Sequence, residues 1–131
     1  MKAFISILFS FYVSSAIAAE EYICAADLDS NDFGVKTLHF NTDSAAATIV
    51  LSNGWSFEGK ITSNRKHNDG KKINLYFEGT DIVPGYDSEY VLFSWRDSYR
   101  VFGVSYFKEN GKKRLHSSAG NNSIDCEIKT I

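Results

Sequence analysis

The stretch WSFEGKIT, Trp55 to Thr62, alternates one for one between apolar or small residues and polar ones. Trp55, Phe57, Gly59 and Ile61 fall on one side, and Ser56, Glu58, Lys60 and Thr62 on the other. KINLYFE does the same, with Ile73, Leu75 and Phe77 set against Lys72, Asn74, Tyr76 and Glu78. A period of two places one face on a core and the other in water, which is the mark of a half-buried strand. The pattern recurs along the chain, and no amphipathic helical stretch of useful length interrupts it. Expected strands cover about 21–26, 35–41, 46–52, 55–63, 71–78, 89–96, 99–108, 112–118 and 123–129. Asn53-Gly54 and Asn110-Gly111 are hairpin signals, because tight turns need residues that tolerate positive φ. Eight or nine short antiparallel strands in sequence predict an all-β meander, and closure into a barrel is favoured over a two-sheet sandwich because it removes exposed edges. Trp55, Phe57, Phe77, Phe93 and Phe102 are the expected fillers of a narrow barrel. Gly59 and Gly103 interrupt strands; each is a bend or bulge, or a place where a ligand approaches the backbone.

The chain opens with MKAFISILFSFYVSSAIAAEE. A lone Lys2, an apolar run from Phe4 to Val13 and the small-x-small pattern Ala16-Ile17-Ala18 have the layout of an export signal cleaved after Ala18 or Ala19. The run is too short for a comfortable membrane span, so no stable membrane anchor is expected. Residues 1–18 are therefore read as signal and 19–131 as one small domain. The formal charge of −2 becomes about −3 without Lys2. A mildly acidic chain lacks the positive field that general nucleic-acid binding needs. Apolar residues make up 44% of the sequence, enough for a core and too many for a disordered chain.

Cys24 follows the cleavage site closely, but Glu21-Tyr22-Ile23 precede it where a lipidated cysteine needs small residues. The only other cysteine is Cys126. Two cysteines with no histidine at ligand spacing do not make a zinc site. Exported thiols pair in an oxidising compartment, so a Cys24–Cys126 disulfide is expected to join the terminal strands and place the protein in the periplasm or outside the cell. Closing a loop of about 100 residues stabilises by on the order of 4–5 kcal/mol in the chain-entropy account.

Little in the chain predicts catalysis. Asp27, Asp29 and Asn31 match the start of a calcium loop, but Asp32 stands at the required Gly and Leu38 at the bidentate Glu, so a solvated acidic loop is expected and no metal site. His39, His67 and His116 have no partner at ligand spacing, no nucleophile turn occurs, and no cofactor or enzyme activity is expected. Two basic clusters, Arg65, Lys66, Lys71, Lys72 and Lys112, Lys113, Arg114, fall at hairpin tips. They are solvated turns, or contacts for an acidic partner or polyanionic envelope glycans. The longest predicted connection, GTDIVPGYDS from Gly79 to Ser88, carries Ile82, Val83 and Tyr86 and is stiffened by Pro84. It is either a lid over one barrel end or a preorganised binding loop.

YIC at Tyr22–Cys24 and CEI at Cys126–Ile128 resemble the bookends of the periplasmic and membrane-bound inhibitors of C-type lysozyme. GYDSEYVLFSWRD, Gly85 to Asp97, is similar to that family's central region. The resemblance implies a small antiparallel β-barrel without catalytic machinery. It matches Gly85 and Tyr86 to the loop that enters the lysozyme cleft, Trp95 to the strand tryptophan and Arg96 to the nearby basic residue. The expected partner is a protein, a cell-wall hydrolase or a toxin. The expected contact residues are Asp81, Ile82, Val83, Gly85, Tyr86, Asp87 and Arg96, with the aspartates facing basic cleft residues. The rival readings are an immunity protein against a periplasmic toxin and a small-ligand carrier with a hollow barrel.

Overall fold

The computed structural model describes residues 18–131, apart from 30, 33, 68–69 and 79–85 and the side chains of 67, 86, 95, 108–109 and 117–120. The predicted export signal thus lies almost wholly outside the described residues. Eight strands form a closed antiparallel barrel in chain order: β1 (Glu20–Ala25), β2 (Val35–Asn41), β3 (Ala46–Leu51), β4 (Ser56–His67), β5 (Gly70–Phe77), β6 (Tyr86–Trp95), β7 (Ser98–Glu109) and β8 (Lys112–Thr130). The barrel is the predicted architecture. The two strands expected at 112–118 and 123–129 are one long β8, which follows β7 through two register shifts, at Gly103/Val104 and Ser105/Tyr106. Bulges bend a strand without ending its pairing, so the apparent gap in the sequence pattern is curvature. Asn110 and Gly111 both take positive φ, 54° and 77°, in the two-residue turn that joins β7 to β8.

Closure occurs between β8 and β1, where Tyr22 faces Ile128 and Cys24 faces Cys126. The Cys24–Cys126 disulfide forms directly across this seam, its Cα atoms 4.0 Å apart, and joins positions 102 residues apart in the chain. Four residues before Cys126 on the same strand, the Asn122 side chain substitutes for a strand neighbour. Its carbonyl accepts the Val35 N–H at 3.0 Å and its amide donates to the Val35 carbonyl at 3.1 Å.

The alternating residues point as the sequence predicts on β4 and β5, with Ile73, Leu75 and Phe77 inside. Tyr22 stacks on Phe40 with centroids 4.6 Å apart, and Phe77 meets Tyr90 edge to face at 5.7 Å. Leu38, Ile49, Leu92 and Val101 complete a solid interior. Three expected fillers are elsewhere. Trp55 lies before β4 and is 43% exposed, while Phe93 and Phe102 point out from the barrel wall. For the two phenylalanines the cause is parity: once Tyr90, Leu92 and Val101 face in, their neighbours Val91, Phe93 and Phe102 must face out.

Gly59 and Gly103 serve the aromatic pair. A Cβ on Gly103 would sit 2.4 Å from the Tyr90 ring, and one on Gly59 would sit 2.2 Å from the Tyr76 carbonyl oxygen and 2.5 Å from the Phe77 ring. The close approach is by the chain's own rings, and at Gly103 a register shift coincides with it. Gly103→Ala is expected to destabilise by about 1–3 kcal/mol, as overpacking does, measured by chemical denaturation of the oxidised protein.

Burial also pushes the Tyr90 phenol up to about 12. Because the folded value lies above the unfolded one, near 10, the neutral phenol's contribution is complete below about pH 10 and lost as pH rises through about 12. The expected loss is on the order of 3 kcal/mol. Tyr90→Phe should remove that part of the alkaline slope, read from stability curves at stepped pH.

Candidate binding surface

A solid interior leaves the outer wall and the two rims as places for contact. Strand alternation assigns the rims. One carries Glu20, the turns at 42–45 and 96–97, the β4–β5 turn and the C-terminus; the other carries the connections at 26–34, 52–55, 78–85 and 110–111. The expected contact residues Asp81, Ile82, Val83 and Gly85 lie outside the described residues. Tyr86 is the first residue of β6, three residues earlier than the sequence pattern placed that strand, and its side chain also lies outside the described set. Asp87 is in the strand, paired with Tyr106, and only 7% exposed. It is therefore covered and not a presented loop carboxylate. Arg96 follows the last residue of β6, at positive φ in a turn on the opposite rim. Ten strand residues separate it from Tyr86 and its loop, about 30 Å at the usual rise per residue. The structure thus does not bring Arg96 together with Tyr86 and Asp87.

Near the rim with the 78–85 connection, β5–β8 carry an outward cluster that sequence reasoning did not assemble. The Lys113 ammonium lies 5.6 Å from the Tyr76 ring centroid and 5.8 Å from that of Tyr106, and 3.5 Å from a Glu89 carboxylate oxygen. Leu115, paired with Tyr106, is 67% exposed. A lysine held between two rings presents its aliphatic stem as apolar surface. The signal in the sequence was the KKRL run, but only the β7–β8 register shows what faces it.

Inside the opposite rim the expected basic cluster divides. Cross-strand pairing sets Lys66 opposite Lys71 on the inner face of the β4–β5 hairpin and Arg65 opposite Lys72 on the outer face. Lys71 donates to Glu20 at 2.7 Å and to the Tyr22 hydroxyl at 3.2 Å. The Glu20 hydrogen bond, opposed by burial and helped by Tyr22, holds the Lys71 ammonium above its ordinary value. Such a lysine is a fixed cation. It lines two shallow clefts of about 360 and 410 Å³ that meet at Asn64 and Lys71, one reaching Tyr22, Ser94, Tyr99 and Ile128, the other Thr42 and Asp43.

Other candidates have structural roles. An Asp32 carboxylate oxygen accepts the Asp29 N–H at 3.0 Å and so caps its own turn. Among the described residues no group of three His, Cys, Asp or Glu side chains is placed to hold a metal ion. His39 pairs with Glu21 at 2.6 Å on the outside of β1 and β2. Outward positions such as Glu58, Lys60, Arg65 and Arg100 are exposed. An apolar inside under a charged outside is the reverse of a membrane-spanning barrel.

Glu20→Gln is expected to cost at most about 1 kcal/mol at neutral pH, since both partners are partly solvated. The cost should vanish as pH rises through the raised Lys71 value, because the pair's stabilisation exists only while the ammonium is charged. Unfolding of wild type and variant at neutral and strongly alkaline pH checks it. A scan against protein-family models and searches of curated proteins and of solved structures found no match to the chain.

Proposed function

We propose that this chain is an exported, non-catalytic binding protein, periplasmic or secreted, that inhibits a cell-wall-degrading enzyme such as a lysozyme. The observation that carries the reading is the outward Tyr76, Tyr106, Lys113 and Leu115 cluster on the barrel wall, near the end at which β5 finishes and β6 begins. Exposed apolar groups on a preordered frame lose little entropy when a partner covers them, and aromatic anchors ringed by polar groups dominate protein interfaces. Two further features support it. The disulfide is consistent with an oxidising, exported compartment. The buried set of Tyr22, Phe40, Phe77 and Tyr90 occupies the space a small-ligand carrier would need.

In this reading the wall cluster and the segment that carries Ile82, Val83 and Tyr86 enter the enzyme's cleft together. Arg96, on the far rim, takes no part. An immunity protein would use the same surface, and the identity of the partner separates the two readings.

The test is lysis of cell-wall suspensions by a C-type lysozyme in the presence of the oxidised protein. Stoichiometric inhibition is expected, and Leu115→Asp, an exposed position that leaves the core untouched, should weaken it by about tenfold to a hundredfold. Full inhibition by that variant would remove the wall cluster from the interface. No inhibition by the wild type would sink the lysozyme version.

A further inference from the structure

The other half of the same outer wall has a different chemistry. Register places Arg65 on β4, Lys72 on β5, Phe93 on β6 and Arg100 on β7 in one row perpendicular to the strands. Neighbouring strands lie roughly 5 Å apart, so the cations stand about one and two strand spacings from each other, with a ring between the second and third. Beside the row, Lys72, Val91, Phe93 and Phe102 line a shallow cleft of about 360 Å³, and Phe102 is 38% exposed.

Among the described residues these charges are not neutralised locally. Among the described residues neither Arg65 nor Lys72 has a carboxylate within ion-pair distance. Among the described residues the Arg100 guanidinium donates to neutral oxygens, Ser123 Oγ at 3.3 Å and Asn121 Oδ1 at 3.2 Å. Glu89, the nearest acid along β6, faces Lys113. Like charges directly opposite in a sheet cost stability, and Arg65 faces Lys72. A locally unfavourable row on a chain of net charge −2 is the kind of departure from consistency that marks a binding site.

We propose that this row binds a linear, sparsely charged anionic glycan across β4–β7. The flat ring of Phe93 takes the apolar face of one sugar, and Lys72 and Arg100 on either side take carboxylate, sulfate or phosphate groups on its neighbours. The closed barrel offers no strand edge for a peptide to extend. The acidic remainder of the molecule repels a dense polyanion such as nucleic acid, leaving short-range contacts to select a polymer with widely spaced charges. This site is independent of the inhibitor reading, because Leu115 and Lys113 lie on the other half of the sheet.

Affinity electrophoresis of the oxidised protein through gels containing hyaluronan, which carries a carboxylate on every second sugar, or neutral dextran tests the proposal. Hyaluronan should retard the wild type and dextran should not, with retardation falling as salt is added. Lys72→Gln/Arg100→Gln should lose at least about tenfold in affinity, whereas the charge-matched Lys36→Gln/Lys129→Gln and the wall variant Leu115→Asp should stay within about twofold. Phe93→Ala should weaken binding without changing its salt dependence. No retardation of the wild type, equal loss in the charge-matched variant, or tighter binding of a single-stranded DNA oligomer than of hyaluronan would each overturn it. Thermal unfolding of each variant shows that its fold is retained.

Discussion

Closure of the barrel is the constraint on which everything else depends. In an open sheet, a strand can slip by one residue and exchange its faces at the cost of its own pairing. Here every strand has a neighbour on each side, and β8 returns to β1. A slip anywhere would have to propagate around the ring or break it. The seam that completes the ring is also where Cys24 meets Cys126, so the covalent bond secures the one pairing that chain order alone would leave weakest. With parity fixed, the core composition follows, and so does the outer wall.

The wall is a by-product of that parity before it is a surface with a use. Tyr90, Leu92 and Val101 are claimed by the interior, and Val91, Phe93 and Phe102 are therefore released to the outside. Aromatic residues on a solvent face carry a cost in exposed apolar area. They sit beside cations here: Lys113 between Tyr76 and Tyr106, and Lys72 and Arg100 flanking Phe93 in register. One sheet thus offers a cluster built for a partner with an apolar centre and a row built for separated negative charges.

The fold was largely legible in the sequence because period-two alternation and Asn-Gly turns are local signals. Phe77 inside and Lys72 outside, the Asn110-Gly111 hairpin and the disulfide all follow from residues a few positions apart or from compartment chemistry. The misreadings came where a long-range choice decided. Both Phe93 and Leu92 are apolar, so alternation alone could not say which of them faces in. Asn64 to His67 are polar, yet they extend β4 through backbone pairing, to which side-chain pattern is blind. The candidate surface was hardest to read. Arg65 and Lys72 share the β4–β5 hairpin while Phe93 and Arg100 come from the next one, and only the register of four strands lines them up. Arg96 looked like a companion of Tyr86 because ten residues is a short distance in sequence; along a strand it is nearly the length of the barrel.

The position of the seam also orders the life of the chain. β1 is the first strand to emerge from any machinery that makes or moves the polypeptide, and β8 is the last. Until the final twenty or so residues are free, the molecule can be at most an open, curled meander with two unpaired edges and a thiol waiting at one of them. Its vulnerable period to edge-to-edge association is therefore set by how quickly the tail is delivered. A truncation or a stall near the C-terminus would leave a nearly full-length chain that has most of its strands and none of its closure.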